Sequence, residues 1–150
     1  MPSTSEGSAG AASGGEGVIR GPGYALAPSL DVLGTGPGFV KVRSELGVTA
    51  FGVNAIVLPP GIETGRHYHD EQQELYFVHR GEVEIEFGDG SRHRLGPGGL
   101  ARVDAATVRM LRNVGEGDAV YLIAGGKGGY VGRDGRLPEG ESERVRSSGA

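Results

Sequence analysis

His67 and His69 stand two residues apart, and Glu74 follows five residues after the second, inside a stretch bounded by Gly61 and Gly81. Imidazole nitrogens and a carboxylate oxygen are donors that divalent transition metals accept. Whether the three can meet depends on backbone geometry. On a helix, residues i and i+2 point in nearly opposite directions; on a strand they share a face. The two histidines can therefore hold one ion only on extended chain. Glu74 has an odd offset from both, which on one continuous strand would turn it to the other face. "DEQQ" at 70–73 is turn-like, however, and "ELYFV" reads as a fresh strand. A hairpin at 70–73 is expected to return Glu74 to the side of His67 and His69. Two imidazoles and one carboxylate would then form a facial set suited to non-haem iron and, with adjustments, to Mn, Ni, Co, Cu or Zn.

The elements around this stretch repeat with period two. In "EVEIEF", Val83, Ile85 and Phe87 share one face and Glu82, Glu84 and Glu86 the other. "GDG" follows as a hairpin signal, and "GPGG" turns the chain again. The pattern predicts strands near 51–58, 74–80, 82–87, 91–95, 100–103, 108–113 and 119–124, with "GFVKVRS" as a further strand upstream. Many short strands, tight Gly/Pro/Asp turns and no convincing helix point to an all-β sandwich or barrel.

With 150 residues the chain is sized for one domain. A net charge of −4 and the lack of a basic stripe argue against a nucleic-acid partner. There is no cysteine, so a metal site must use His and carboxylate ligands. No apolar run nears the roughly 20 residues that span a bilayer. The opening "MPSTSEGSAGAASGGEG" lacks a basic region and an apolar core, so a membrane partner and a secretory signal are not expected, and a cytoplasmic location is. Residues 1–17 and 138–150 have the composition of disordered tails, which leaves 18–137 as the folded domain.

The central stretch resembles the first sequence motif of the cupin superfamily: Gly61, five residues, His67, one, His69, four, Glu74, six, Gly81, preceded by "PPG" at Pro59–Gly61. The resemblance extends more loosely over about residues 45–124. It implies a cupin double-stranded β-helix, a small jelly-roll β-barrel, with His67, His69 and Glu74 lining its interior and one divalent transition metal (Fe, Mn, Ni or Zn) bound there. The second cupin motif is degraded in "DAATVRMLRN". Asn113 matches, but Asp104 and Ala106 replace the usual proline and glycine, and Arg109 stands where the fourth ligand, a histidine, is usual. A guanidinium stays protonated and has no lone pair to give a metal. Cupins are often dimers, so a homodimer is also implied.

Strand parity sends Arg109 and Tyr76 inward. Arg109 is expected either to pair with Glu74 or to anchor an anionic group of a small-molecule substrate, and Tyr76 is a substrate contact or a core residue. His93 is a candidate replacement ligand, although a rim position fits it better; His79 alternates out of the pocket. Leu75 and Phe77 face outward and need a cover, from the segment around Tyr24–Leu26 or from another subunit. "AGGKGGYVGRDG" fails as a phosphate loop, because neither Ser/Thr nor a helix follows Lys127. It reads as a glycine-rich segment whose Lys127, Tyr130 and Arg133 could fold over a barrel mouth. Two functions are compatible with these residues: a metal-dependent enzyme of oxygenase, isomerase or decarboxylase type acting on a small anionic molecule, or a non-enzymatic binding or sensing module without metal.

Overall fold

The computed structural model describes residues 17–141. The expected tails at 1–17 and 138–150 fall largely outside the described residues. In chain order the elements are β1 (Ile19–Gly21), β2 (Tyr24–Leu26), β3 (Gly38–Val40), α1 (Val42–Leu46), β4 (Gly52–Leu58), β5 (Tyr68–His69) and β6 (Gln73–Arg80). They continue as β7 (Val83–Phe87), β8 (Arg92–Leu95), β9 (Leu100–Val103), β10 (Arg109–Asn113), β11 (Ala119–Gly126) and β12 (Gly135–Arg136). β4 and β6 to β11 lie where the period-two pattern predicts strands, and β5 is a short strand that the pattern does not predict. Upstream, "GFVKVRS" splits. Only Gly38–Val40 is strand, and Val42–Leu46 forms one helical turn closed by Gly47 at φ 77°, whose N–H donates to the Arg43 carbonyl.

All strand pairs are antiparallel. One sheet has the order β3-β4-β11-β6-β9, and a second has the order β10-β7-β8. Isolated bridges Glu63–Arg112 and His67–Arg109 lay the segment after β4 along the free edge of β10. β12 pairs with β5 at Gly135–His69 and Arg136–Tyr68. Inward side chains of both sheets meet in one core, including Ile56, Leu58, Val78, Val83, Ile85 and Leu111. The all-β architecture expected from the pattern is therefore present, as is the jelly roll that the resemblance implies.

The outer faces of the two sheets differ. On the five-stranded sheet, Val40, Ala55, Val57 and Val120 form a second apolar cluster with Val42, covered by Leu30, Leu33 and Leu46. Residues 30–46 thus cover the part of this face formed by β3, β4 and β11; Leu75 and Phe77 are not in that cluster, and Tyr24 and Leu26 of β2 are themselves about half exposed. Leu75 remains exposed as well, at 45%. The second sheet carries a charged outer face: Arg112 bonds Glu84 and Glu63, and Arg66 bonds Glu86. Among the described residues no helix is long and apolar enough to cross a membrane.

The glycines that bracket the chemical stretch have a backbone reason. Gly61 sits at φ 78° and Gly81 at φ 82°, a region that L side chains rarely adopt. At Gly81 a Cβ would also come within 2.8 Å of the Asp118 carbonyl oxygen and the Ala119 Cα. These two turns fix the lengths of the segments that carry His67, His69 and Glu74.

Candidate metal centre

His67 reaches the site from the segment laid along β10. Its backbone N–H donates to the Arg109 carbonyl at 3.1 Å, and the Arg109 N–H donates back at 2.9 Å. This reciprocal pair puts the two residues directly opposite one another, which is why Arg109 shares the site. His69 ends β5, and Glu74 lies on the inner face of β6. Residues 70–72 do reverse the chain, but β5 and β6 do not form a hairpin: β5 pairs with β12, and β6 with β11 and β9. The expected hairpin is corrected to a turn that leaves its two arms in different sheets. The convergence survives, since one donor atom each from His67, His69 and Glu74 lies within 4.8 Å of the other two. The two imidazole rings stand edge to face at 5.3 Å.

Hydrogen bonds set the tautomers. His67 Nδ1 lies 3.2 Å from the Gly65 carbonyl oxygen, and His69 Nδ1 lies 2.7 Å from Asp134 Oδ1. Each Nδ1–H has an acceptor, so in the neutral form of each ring the lone pair sits on Nε2. Burial pushes the His67 pKa down to about 4, and the Arg109 charge beside it acts in the same direction. His67 is thus neutral at ordinary pH, the form that ligates metals. His69 is 2% exposed, and its Nε2 is buried without a hydrogen-bond partner. It faces Glu74 Oε2 at 3.4 Å. A buried, unpartnered lone pair aimed at a carboxylate oxygen is costly unless a cation or a donor sits between them. These residues fit a divalent transition metal.

Glu74 is divided between two tasks. Its Oε1 accepts from Tyr76 Oη at 2.8 Å and from Arg109 Nη2 at 2.9 Å, while Oε2 faces His69. Arg109 is fully buried. Its Nε donates to Tyr76 Oη at 3.2 Å, and Nη1 donates to the carbonyls of Thr107, Ala105 and Asp104 at 2.6, 3.2 and 3.4 Å. Burial opposes the charge of Arg109, but Tyr76 and Glu74 more than offset it, so the guanidinium stays protonated. Burial, reinforced by the Glu74 charge, holds the Tyr76 hydroxyl well above its usual pKa, as a permanent donor. Strand parity agrees with this inward Arg109, and the pairing with Glu74 is one of the two roles expected of it.

The sequence reading did not find Asp134. Its carboxylate accepts from His69 Nδ1, from Gln72 Nε2 at 2.6 Å, from the Glu71 N–H at 2.7 Å and from the Gln72 N–H at 3.1 Å. Burial opposes its ionisation, but bonds from the Gln72 amide, the Glu71 N–H and His69 prevail and hold it well below the usual carboxylate range. A carboxylate on the far nitrogen of a ligating histidine fixes ring orientation and raises ligand basicity. Asp134 lies in the glycine-rich segment after β11, which is therefore tied to the site. His93 and His79 stand outside the cluster: both are exposed, and His93 packs on Phe87 at 6.0 Å.

Beside the cluster lies a cleft of about 240 Å³. His69 and Glu74 line it, together with Lys41 and Arg43 on one side and Tyr130 and Arg133 of the glycine-rich segment on the other. Arg43 stacks on the Tyr130 ring at 4.1 Å, which joins the two sides. Arg109 and Tyr76 lie behind Glu74, outside this lining.

The family model described as a cupin domain matches residues 55–125. Among solved structures, the chain is 29% identical to a sugar phosphate isomerase from a cupin superfamily of Silicibacter pomeroyi DSS-3, with TM-score 0.55 over 59% of this chain and 58% of that one. A cupin protein of Bacteroides fragilis is 20% identical, with TM-score 0.60 over 71% and 86%. A DMSP lyase of Ruegeria pomeroyi DSS-3 is 24% identical, with TM-score 0.53 over 62% and 46%. The chain thus spans under two thirds of the length of the isomerase and of the lyase. No curated protein matches the sequence.

Proposed function

The chain belongs to the cupin superfamily, and we propose that it is a metal-binding member that binds or transforms a small anionic molecule in the cleft beside His69 and Glu74. The observation that carries this reading is the buried Nε2 of His69, without a partner and directed at Glu74 Oε2. His67 and His69 would offer Nε2 lone pairs and Glu74 its Oε2 to one ion of Fe, Mn, Ni or Zn. Such an ion supplies Lewis-acid or oxygen-activating chemistry.

The protein's own residues do the positioning. Asp134 orients His69, the Gly65 carbonyl orients His67, and Arg109 with Tyr76 holds Glu74 by the oxygen the ion does not need. In this reading Arg109 does not compete with the ion, and it does not anchor the substrate, because it is fully buried outside the cleft lining and its three nitrogens all donate within the protein. Tyr76 likewise serves Glu74. The 29% identity to a sugar phosphate isomerase supports isomerase-type chemistry, while oxygenase and decarboxylase chemistry share the fold.

A second reading rests on the Arg109–Glu74 pair, which already neutralises the carboxylate. The barrel would then be a metal-free binding or sensing module. Elemental analysis of protein purified without a histidine tag, and then reconstituted with Fe(II), Mn(II), Ni(II) and Zn(II), separates the two. The expected result is one bound ion per chain, lost in His67→Ala/His69→Ala with the fold retained. Protein that holds none of the four ions overturns the metal-centre reading in favour of the binding module.

A further inference from the structure

We propose that Lys41, Arg43 and Arg133 form an anion-recognising wall of the cleft, which selects small molecules carrying a phosphate or carboxylate group and presents their other end to His69 and Glu74. The inference deepens the function proposed above and rests on the same cleft. It starts from a contrast in pairing. Arg66, Arg92, Arg94, Arg102, Arg112 and Arg136 each have a carboxylate within 4.0 Å. Lys41, Arg43 and Arg133 have none among the described residues and all three line one cleft, whereas Arg20, Arg80 and Lys127, which have none either, lie outside that lining. The single carboxylate in that lining is Glu74, already paired with Arg109. Asp134, next in sequence to Arg133, is occupied by His69, Gln72 and the Glu71 N–H. The cleft therefore carries uncompensated positive charge on a chain whose net charge is −4. Same-sign charges brought together at a concave surface focus potential on an oppositely charged ligand.

Arg43 is the best placed of the three. The Tyr130 ring holds one face of its guanidinium at 4.1 Å, and its Nη1 donates to the Val48 carbonyl at 3.3 Å. Its remaining N–H groups have no acceptor among the described residues. A guanidinium oriented in this way offers two parallel donors to one phosphate or carboxylate. Lys41 and Arg133 are exposed and add point charge from the two sides. At about 240 Å³ the cleft is below the roughly 300–1,000 Å³ that drug-sized ligands occupy. It suits a small metabolite, not a nucleotide cofactor.

Isothermal titration calorimetry on the full chain, metal-free and metal-loaded, tests this with ribose 5-phosphate, ribonate and neutral ribose as probes. One or both anionic probes are expected to bind, with affinity falling as salt is raised, and ribose is expected not to. The stronger anionic probe identifies the group that is read. Because Arg43 also packs on Tyr130 and Val48, the decisive variant is Lys41→Ala/Arg133→Ala, which alters exposed side chains alone. It should weaken the anionic probe by roughly ten-fold or more, the scale of one charge-assisted hydrogen bond. Two results overturn the inference: anionic probes binding no tighter than ribose, or the double variant holding them within about two-fold of wild type, less than half a kcal/mol. His67→Ala/His69→Ala keeps the two proposals apart. If it retains the anion while wild-type protein holds no metal, the metal-centre reading fails and the anion wall stands.

Discussion

At the scale of single residues, Arg109 changes what its neighbours can do. A guanidinium where a fourth ligand is usual removes one donor, yet it fixes Glu74 by Oε1 and leaves Oε2 facing His69. Breaking a buried ion pair from one side leaves an uncompensated charge and costs about 3–5 kcal/mol. Arg109→Leu is expected to destabilise metal-free protein on that scale, as measured by urea unfolding. Metal-loaded protein should lose much less, because the ion then serves as counter-charge to Glu74. Equal losses in the two forms would mean that Glu74 does not face the ion. Much of this geometry was legible in the sequence, because parity along "ELYFV" and "VRMLRN" groups Glu74 with Tyr76 and Arg109 with Leu111, and the motif resemblance sets those faces inward. Asp134 was not. It lies 65 residues beyond His69, and no periodicity links a turn carboxylate to a partner so distant.

At the scale of elements, alternation located β4 and β6 through β11, most plainly β6, where Glu74, Tyr76 and Val78 are buried and Gln73, Leu75 and His79 are exposed. It failed in "GFVKVRS", where Val40 to Arg43 alternate apolar and polar but Gly47 at φ 77° closes a helical turn over Val42–Leu46. The one local signal was that glycine, placed as a helix C-cap. It misjudged the His69-to-Glu74 reversal for a related reason: a turn signal says that the chain bends, not which strands then pair. The bracket glycines offer a quantitative check. Gly61 and Gly81 share a positive φ, but around Gly61 a Cβ would meet nothing within 4 Å, whereas at Gly81 it meets backbone at 2.8 Å. Gly61→Ala should cost about 1 kcal/mol, the lower end for a strained backbone position. Gly81→Ala should cost at least about twice that, since backbone must also move. Chemical denaturation of the two variants decides it, and equal costs would contradict the packing around the β6–β7 turn.

At the scale of the whole molecule, the pH dependence of stability should carry the mark of Asp134. Its folded pKa lies well below its unfolded value of about 3.9. A depressed carboxylate contributes stability that is fully present above the unfolded pKa and is lost as pH falls toward the folded one. Wild-type protein is therefore expected to lose stability progressively below about pH 4, and Asp134→Asn to show a shallower acid slope from a lower starting stability. Thermal melts between about pH 2 and 6 measure both, since that range brackets the unfolded carboxylate pKa. Parallel curves would show that Asp134 is not the group responsible. The same variant should bind metal about 10–100-fold more weakly, as is usual when the hydrogen-bond partner of a ligating histidine is lost.

The Asp134 carboxylate also joins two clocks. Its Oδ2 accepts the backbone N–H groups of Glu71 and Gln72, while its Oδ1 holds Gln72 Nε2 and His69 Nδ1. Those two amides can exchange their hydrogens with solvent deuterium only when the segment carrying Asp134 lifts away, and at that moment His69 loses its orienting partner. Ion occupancy and the exchange rates of Glu71 and Gln72 are therefore one equilibrium observed from two sides. Whatever fills the site should slow both amides by a common factor, so a deuterium label on two backbone positions registers occupancy of an ion that touches neither of them.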